Sequence, residues 1–208
     1  MAEAFTQLTA IAIPLDESNI DTDQMVPARL SKLPIGPGHE RVLLHDRRFL
    51  SDETPNKDFI FNKPGYEGAK ILVARRNFGI GSSRESAVMS SWSFGLRAII
   101  APSFGDIFFG NCFKLGLLPI RLPESDVDKL FTYLLPQPGA TITFDLPGQT
   151  VMAGGMTFHF DIGGVQKTCL VQGLDEVSMT ETHLDAISAF ESGYYKQFSW
   201  LSAQLQTG

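Results

Sequence analysis

Four consecutive apolar residues, Ile71-Leu72-Val73-Ala74, end at Arg75, and beyond a glycine-rich turn the apolar pattern resumes in Ser86-Ala87-Val88-Met89-Ser90-Ser91-Trp92. A short run with no polar face reads as a buried strand, so the spacing predicts a strand over 69–75 and a helix over about 83–94 that stops at Gly95. Arg97-Ala98-Ile99-Ile100-Ala101 is the next strand, Asp106 to Phe113 a short apolar helix, and Leu117-Leu118-Pro119-Ile120 a further strand. This β-α-β-α-β order implies parallel pairing with right-handed crossovers. Upstream, Thr9 to Ile13 alternates weakly and ends at Pro14, a first strand. Downstream of Pro123, Val127, Leu130, Phe131 and Leu134 recur at the spacing of an amphipathic helix. The period then changes to two. Thr141–Leu146 and Thr157–Ile162 are predicted strands, Pro147-Gly148 and Gly163-Gly164 mark turns, and 165–171 is expected to pair back as another strand. From Thr180 a last helix is expected, with Leu184, Ile187 and Phe190 inward. The aromatic tail from Tyr194 to Trp200 then packs on the core or meets a partner.

Two stretches lack periodicity. LDESNIDTDQMVPARL, after the first strand, is polar and acidic, and Pro34, Gly36, Pro37 and Gly38 prolong it. A connection this long is functional or mobile, and loop 15–40 is expected to bury little apolar surface until a partner covers it. Asn19, Asp21, Thr22 and Asp23 can each fold back on the backbone as Asx or Thr turns. No DxDxDG continuation follows, which disfavours a calcium loop. Between Arg41 and Asn62 the signals are mixed, with Phe49, Phe59 and Phe61 expected to anchor a loop on the core.

The chain of 208 residues is ordinary globular material, 43% hydrophobic and 19% charged, expected to form one domain over 1–208 with a tail from about 192. A net charge of −6 and basic residues no denser than the pairs Arg47-Arg48 and Arg75-Arg76 speak against nucleic acid. Such pairs are usually solvated. No apolar run approaches the ~20 residues that cross a bilayer, and the N-terminus has no positive leader, so a cytoplasmic protein is expected. Cys112 and Cys169 have no metal-ligand spacing and read as small buried hydrophobes. The four histidines are scattered without an HxH or HExxH pair. His159, between Phe158 and Phe160, is expected to face solvent.

The chemistry concentrates in NFGIGSSRE, Asn77 to Glu85. Gly79 and Gly81 allow a tight turn and close approach of a ligand, and the helix start beyond them offers unpaired N–H groups to an anion. Ser82, Ser83 and Arg84 stand at its mouth. Ser82-x-x-Glu85 is also a capping box, which explains one serine but not two glycines, a second serine and an arginine together. No GxSxG elbow supports a serine hydrolase, and no third glycine or Walker lysine supports a nucleotide site.

NIDTDQMVP, NFGIGSSRE, AIIAPSFGDIFFGN and GLLPI, in this order, resemble the small subunit of bacterial 3-isopropylmalate dehydratase, related to the swivelling domain of aconitase. The likeness runs from about Leu8 to Glu191. It implies a three-layer β/β/α swivelling domain, α/β in class, with a parallel β-α core and antiparallel hairpins. It also implies a partner, a large subunit carrying a [4Fe–4S] cluster, with no cofactor or metal in this chain and the active site formed between the two. The implied reaction is loss and re-addition of water that interconverts 2-isopropylmalate and 3-isopropylmalate in leucine biosynthesis, the substrate being a small dicarboxylate. By match to the family motif, Ser82 is the candidate base, Ser83 and Arg84 bind a substrate carboxylate, and Asp23 orients groups in the site. Proton removal beside a carboxylate needs a base, a stabilised aci-carboxylate and a Lewis acid for the leaving hydroxyl. A serine can act as base only where N–H donors and a cation hold its alkoxide, and a guanidinium fork suits a carboxylate. Ser86 stands where the family has His, and Gly105 where Ala is common. A paralogous subunit for another substituted malate is therefore the alternative, and a structural or regulatory subunit the non-enzyme one.

Overall fold

The computed structural model describes residues 4–81 and 84–202. Its centre is a sheet of order β4-β3-β2-β1-β5-β6-β7. Strands β1 (Gln7–Leu15), β2 (Ile71–Ala74), β3 (Ala98–Ala101) and β4 (Leu118–Arg121) run parallel. β5 (Thr141–Asp145), β6 (Thr150–Ala153) and β7 (Met156–His159) are antiparallel. Nine residues long, β1 serves both halves: Gln7 to Ile11 pair with β5, whereas Ala12 to Leu15 pair with β2.

The helices in chain order are α1 (Thr22–Met25), α2 (His45–Arg48), α3 (Glu85–Phe94), α4 (Asp106–Lys114), α5 (Glu124–Leu134), α6 (Gly164–Gln172), α7 (Glu176–Glu181), α8 (Leu184–Gln197) and α9 (Ser199–Ser202). Both faces of the parallel half are covered, which is why β2 and β3 carry unbroken apolar runs. Ile13, Leu72, Ala74, Ile99 and Ala101 face a core shared with Ala87 and Val88 of α3 and Phe108 and Cys112 of α4. Ala12, Ile71, Val73, Ala98 and Ile100 face a second core, shared with Val127, Leu130, Phe131 and Leu134 of α5 and with Ile142, Phe144, Val151 and Phe158 of the antiparallel strands. The antiparallel strands thus bury the same face of the parallel sheet as α5 does. The mixed α/β architecture with a parallel core and antiparallel hairpins is the expected one.

α5 buries the four residues its period singled out. Gly95 ends α3 at φ 114°, donating to Ser91 and Trp92 carbonyls, a left-handed cap. His159 is exposed between buried Phe158 and Phe160. Phe49, Phe59 and Phe61 are buried, as is the Val42-Leu43-Leu44 run.

Several expectations fail, each for a physical reason. Residues 165–171 are helix, not strand: Gly163 is an N-cap and Gly173, at φ 67°, a left-handed stop, so the chain leaves β7 as α6. The hairpin runs instead between β6 and β7 through Gly154 and Gly155, both at positive φ, a tight turn only glycine-like residues make easily. α8 exists, but Leu184 and Phe190 point out, 56% and 69% exposed. α3, α4, α5 and the antiparallel strands already cover the sheet. The tail aromatics Tyr194 and Trp200 are likewise exposed, and Tyr194 stacks on Phe190 within α8, so of the two alternatives for the tail it is packing on the core that fails. Loop 15–40 is anchored in its first half, because Ile20, Met25 and Val26 enter the core and Asp21 caps α1 by accepting the Gln24 N–H at 2.7 Å. The stretch that stays open is later, with Leu33 and Ile35 about half exposed.

The arginine pairs are not simply solvated. Arg48 is buried, donates to the Glu40 and Leu43 carbonyls and lies against Phe49 and Phe94, and burial lowers its guanidinium to about 10. Arg47 pairs with Glu17 over the Phe59 ring.

Candidate active site

The carboxyl ends of β1, β2 and β3 release three loops on one side of the sheet, and the glycine-rich loop after β2 lies between the other two. On one flank Asn19 N–H donates to the Arg76 carbonyl at 2.9 Å, Gly79 N–H to Ile20 at 2.7 Å and Thr22 N–H to Ile80 at 2.8 Å. On the other, Phe78 N–H donates to the Ser103 carbonyl at 3.0 Å and Gly105 N–H to Phe78 at 2.9 Å. Asp21 and Phe104 thereby form parallel bridges with Ile80 and Phe78. In effect the sheet continues for a residue or two beyond its strands.

Two glycines permit this closeness. Gly79 has φ 71°, and a Cβ there would fall 2.4 Å from Cγ of Phe108. A Cβ on Gly105 would fall 2.4 Å from the Gly79 carbonyl oxygen. Beneath the loop Phe78, Phe104 and Phe108 form an aromatic floor, with centroids 5.6 Å apart for Phe78 and Phe108.

Asp23 and Arg84, far apart in sequence, meet. Arg84 occupies the N-cap of α3 and its guanidinium pairs with the Asp23 carboxylate, the side chains being 33% and 62% exposed. The helix begins at Glu85, so the capping box expected between Ser82 and Glu85 is not its start: Glu85 sits one residue inside the cap, not three. The candidate base Ser82 and the candidate carboxylate ligand Ser83 lie outside the described residues. Ser86 is on the first turn of α3 and partly exposed.

Neighbouring charges are committed elsewhere. Asp21 serves α1. Arg75 pairs with Asp16 and Asp128 and lies 4.1 Å from the Phe131 centroid, and its bond to Asp16 raises its pKa. Charged groups facing outward at the loop include Asp23 and Arg84, exposed Arg76, and exposed Glu85 at the start of α3.

Residues the motif reading passed over do much of the positioning. Asn77 Nδ2 donates to Asn19 Oδ1 at 2.7 Å, Ser103 Oγ donates to Asn77 Oδ1 at 3.1 Å, and Asn77 N–H donates to Ser103 Oγ at 2.8 Å. Asn19 and Asn77 both have φ 60°, where asparagine is the most tolerant residue after glycine. An asparagine just after a strand and another in the acidic loop were the available signal, but their meeting is a tertiary fact.

The chain's own donors do not fit an iron–sulfur cluster. Cys112 is fully buried in α4, where burial pushes its thiol well up, and Cys169 lies apart in α6. Among the described residues no group of three or more His, Cys, Asp or Glu could hold a metal ion. No described helix is long and apolar enough to cross a membrane.

Residues 2–125 match the aconitase C-terminal domain family, a span reaching from the N-terminus through β4 into α5 and including all three loops. The chain belongs to the aconitase C-terminal domain family. Within the solved structures it is similar to 3-isopropylmalate dehydratase from Methanocaldococcus jannaschii, at 22% identity and a TM-score of 0.62, over 88% of this chain and 98% of that one. This aconitase C-terminal domain therefore shares a fold over most of its length with nearly all of that chain. The sequence match itself ends before the antiparallel strands begin.

Proposed function

We propose that this chain is the small subunit of a 3-isopropylmalate dehydratase, a hydro-lyase that interconverts 2-isopropylmalate and 3-isopropylmalate in leucine biosynthesis together with a large subunit. The observation that carries this reading is the meeting of Asp23 and Arg84 at the mouth of the glycine loop, in a chain of the aconitase C-terminal domain family. A guanidinium paired with one carboxylate through Nη1 keeps further N–H donors, and their planar fork suits a second carboxylate. The dicarboxylate substrate supplies one. Asp23 then keeps Arg84 oriented while the substrate carboxylate takes the remaining donors.

Ser82 is the base in this reading, Ser83 a second ligand of the substrate carboxylate. Arg84 and the N–H groups at the start of α3 lower the cost of negative charge both on the serine oxygen and on the aci-carboxylate formed as the proton leaves. The [4Fe–4S] cluster belongs to the large subunit, since this chain's donors do not fit one. The complex is a cytoplasmic heterodimer. A specific observation keeps a second substrate in view: Ser86, part-exposed on the first turn of α3, stands where the family motif has His, so another alkyl malate is the alternative substrate.

The test is co-purification with a cluster-loaded large subunit and an activity screen across substituted malates, with Ser82→Ala beside the unaltered chain. The isolated chain is expected to be colourless and inactive, and the complex to turn over isopropylmalate. Ser82→Ala is expected to remove nearly all turnover while the complex still forms. Full activity of that variant would remove Ser82 from the mechanism; robust dehydratase activity of the chain alone would overturn the division of labour.

A further inference from the structure

The glycine loop is held between its neighbours by one side-chain relay. Ser103 Oγ, after β3, accepts the Asn77 N–H and donates to Asn77 Oδ1. This turns the Asn77 amide so that its Nδ2 faces away from Ser103, and there it donates to Asn19 Oδ1 in the acidic loop after β1. A hydroxyl after one strand therefore fixes which way an amide after a second strand points, and that amide fixes the loop after a third. Asn19 lies four residues before Asp23, and Asn77 seven before Arg84. Both asparagines sit at φ 60°, so neither backbone is held by ordinary preference alone. Asn19 N–H on the Arg76 carbonyl closes the pair from the backbone side.

We infer that Asn77, oriented by Ser103, is a positioning residue: it sets the acidic loop carrying Asp23 in register with the glycine loop carrying Arg84. None of Asn19, Asn77 and Ser103 contacts Asp23 or Arg84 through a hydrogen bond given by this geometry. Their effect passes through the two loop backbones, whose mutual bonds include Gly79 N–H to Ile20 and Thr22 N–H to Ile80 beside that of Asn19 to Arg76. This deepens the proposed function and rests on it for the catalytic readout. The loop coupling itself can be read without catalysis.

Ser103 is the place to cut the relay, because it lies on neither coupled loop and can be changed without altering charge. Ser103→Ala removes both of its hydrogen bonds to Asn77, whereas Ser103→Thr keeps the hydroxyl. In the full-length chain, hydrogen exchange at the Gly79 and Thr22 amides is expected to quicken at least tenfold in Ser103→Ala and to stay within threefold of wild type in Ser103→Thr. In the complex with the large subunit, Ser103→Ala is expected to lower kcat at least tenfold on isopropylmalate with the subunits still associated, and Ser103→Thr to restore it. A merely structural serine would lower the melting temperature and leave the kcat of the folded complex and the exchange at Gly79 and Thr22 unchanged. That result overturns the inference, as would equal losses in the two variants. If the wild-type complex acts on no substituted malate, the functional reading fails. The exchange result then decides the coupling alone, and faster exchange confined to Phe78 and Gly105, the amides of the Ser103 side, overturns it.

Discussion

Gly105→Ala and Gly110→Ala make the same chemical change at the start and in the interior of α4, and the structure assigns them opposite signs. Gly105 has φ −62° and ψ 132°, a conformation open to every residue, so its backbone carries no strain argument and contact alone decides. Its Cβ would lie 2.4 Å from the Gly79 carbonyl oxygen and 2.9 Å from both Gly79 C and Ile80 Cα. All three are backbone atoms of a segment fixed by hydrogen bonds to loops on both sides, so none can rotate aside. The α4 N-terminus and the glycine loop must part by about 1 Å to restore ordinary van der Waals distance. Overpacking of this kind costs about 1–3 kcal/mol. The smaller conformational freedom of alanine in the unfolded chain returns about 0.4–1 kcal/mol. The net is a loss, equivalent to a melting temperature lower by about 2–4 °C per kcal/mol in a chain of this size. At Gly110 nothing lies within 4 Å of the added Cβ and the residue is mid-helix, so alanine gains about 0.5–1 kcal/mol. Urea unfolding of the two variants beside wild type, with m unchanged, should give midpoints on either side of the wild-type value. A Gly105→Ala midpoint at or above wild type would refute the close-approach argument.

Arg84→Lys keeps the charge that meets Asp23 but loses the two-pronged fork; in the reconstituted complex KM is expected to rise at least tenfold while the melting temperature holds, and unchanged KM and kcat would mean that Arg84 does not hold the substrate. Cys112, buried with its thiol pushed well up, is expected to resist a thiol reagent in the native chain while part-exposed Cys169 reacts, and simultaneous labelling of both at native pH would contradict the packing of α4 on the sheet.

What the linear sequence determined is the set of elements whose signal is local. The parallel strands are legible because both their faces are buried and their runs unbroken, as in Ile71 to Ala74, and α5 because a single apolar stripe meets a single core. The place of the glycine loop was legible for a similar reason, because its glycines fall between an unbroken apolar run and a helical one, and resemblance to known motifs then named the reaction. Residues 165–171 misled because alternation over so few residues cannot tell an edge strand from a helix. Only the glycines at 163 and 173, acting as caps, settle it. The inward placement of Leu184 and Phe190 failed because amphipathic spacing states that a helix has an apolar face and not that a core remains to receive it. Tertiary structure alone decided the rest. Whether Asp23 meets Arg84, and whether Asn19 and Asn77 bond each other from separate loops, depends on β1 lying beside β2 in parallel register. That register is set by the apolar faces of strands that contain none of these residues.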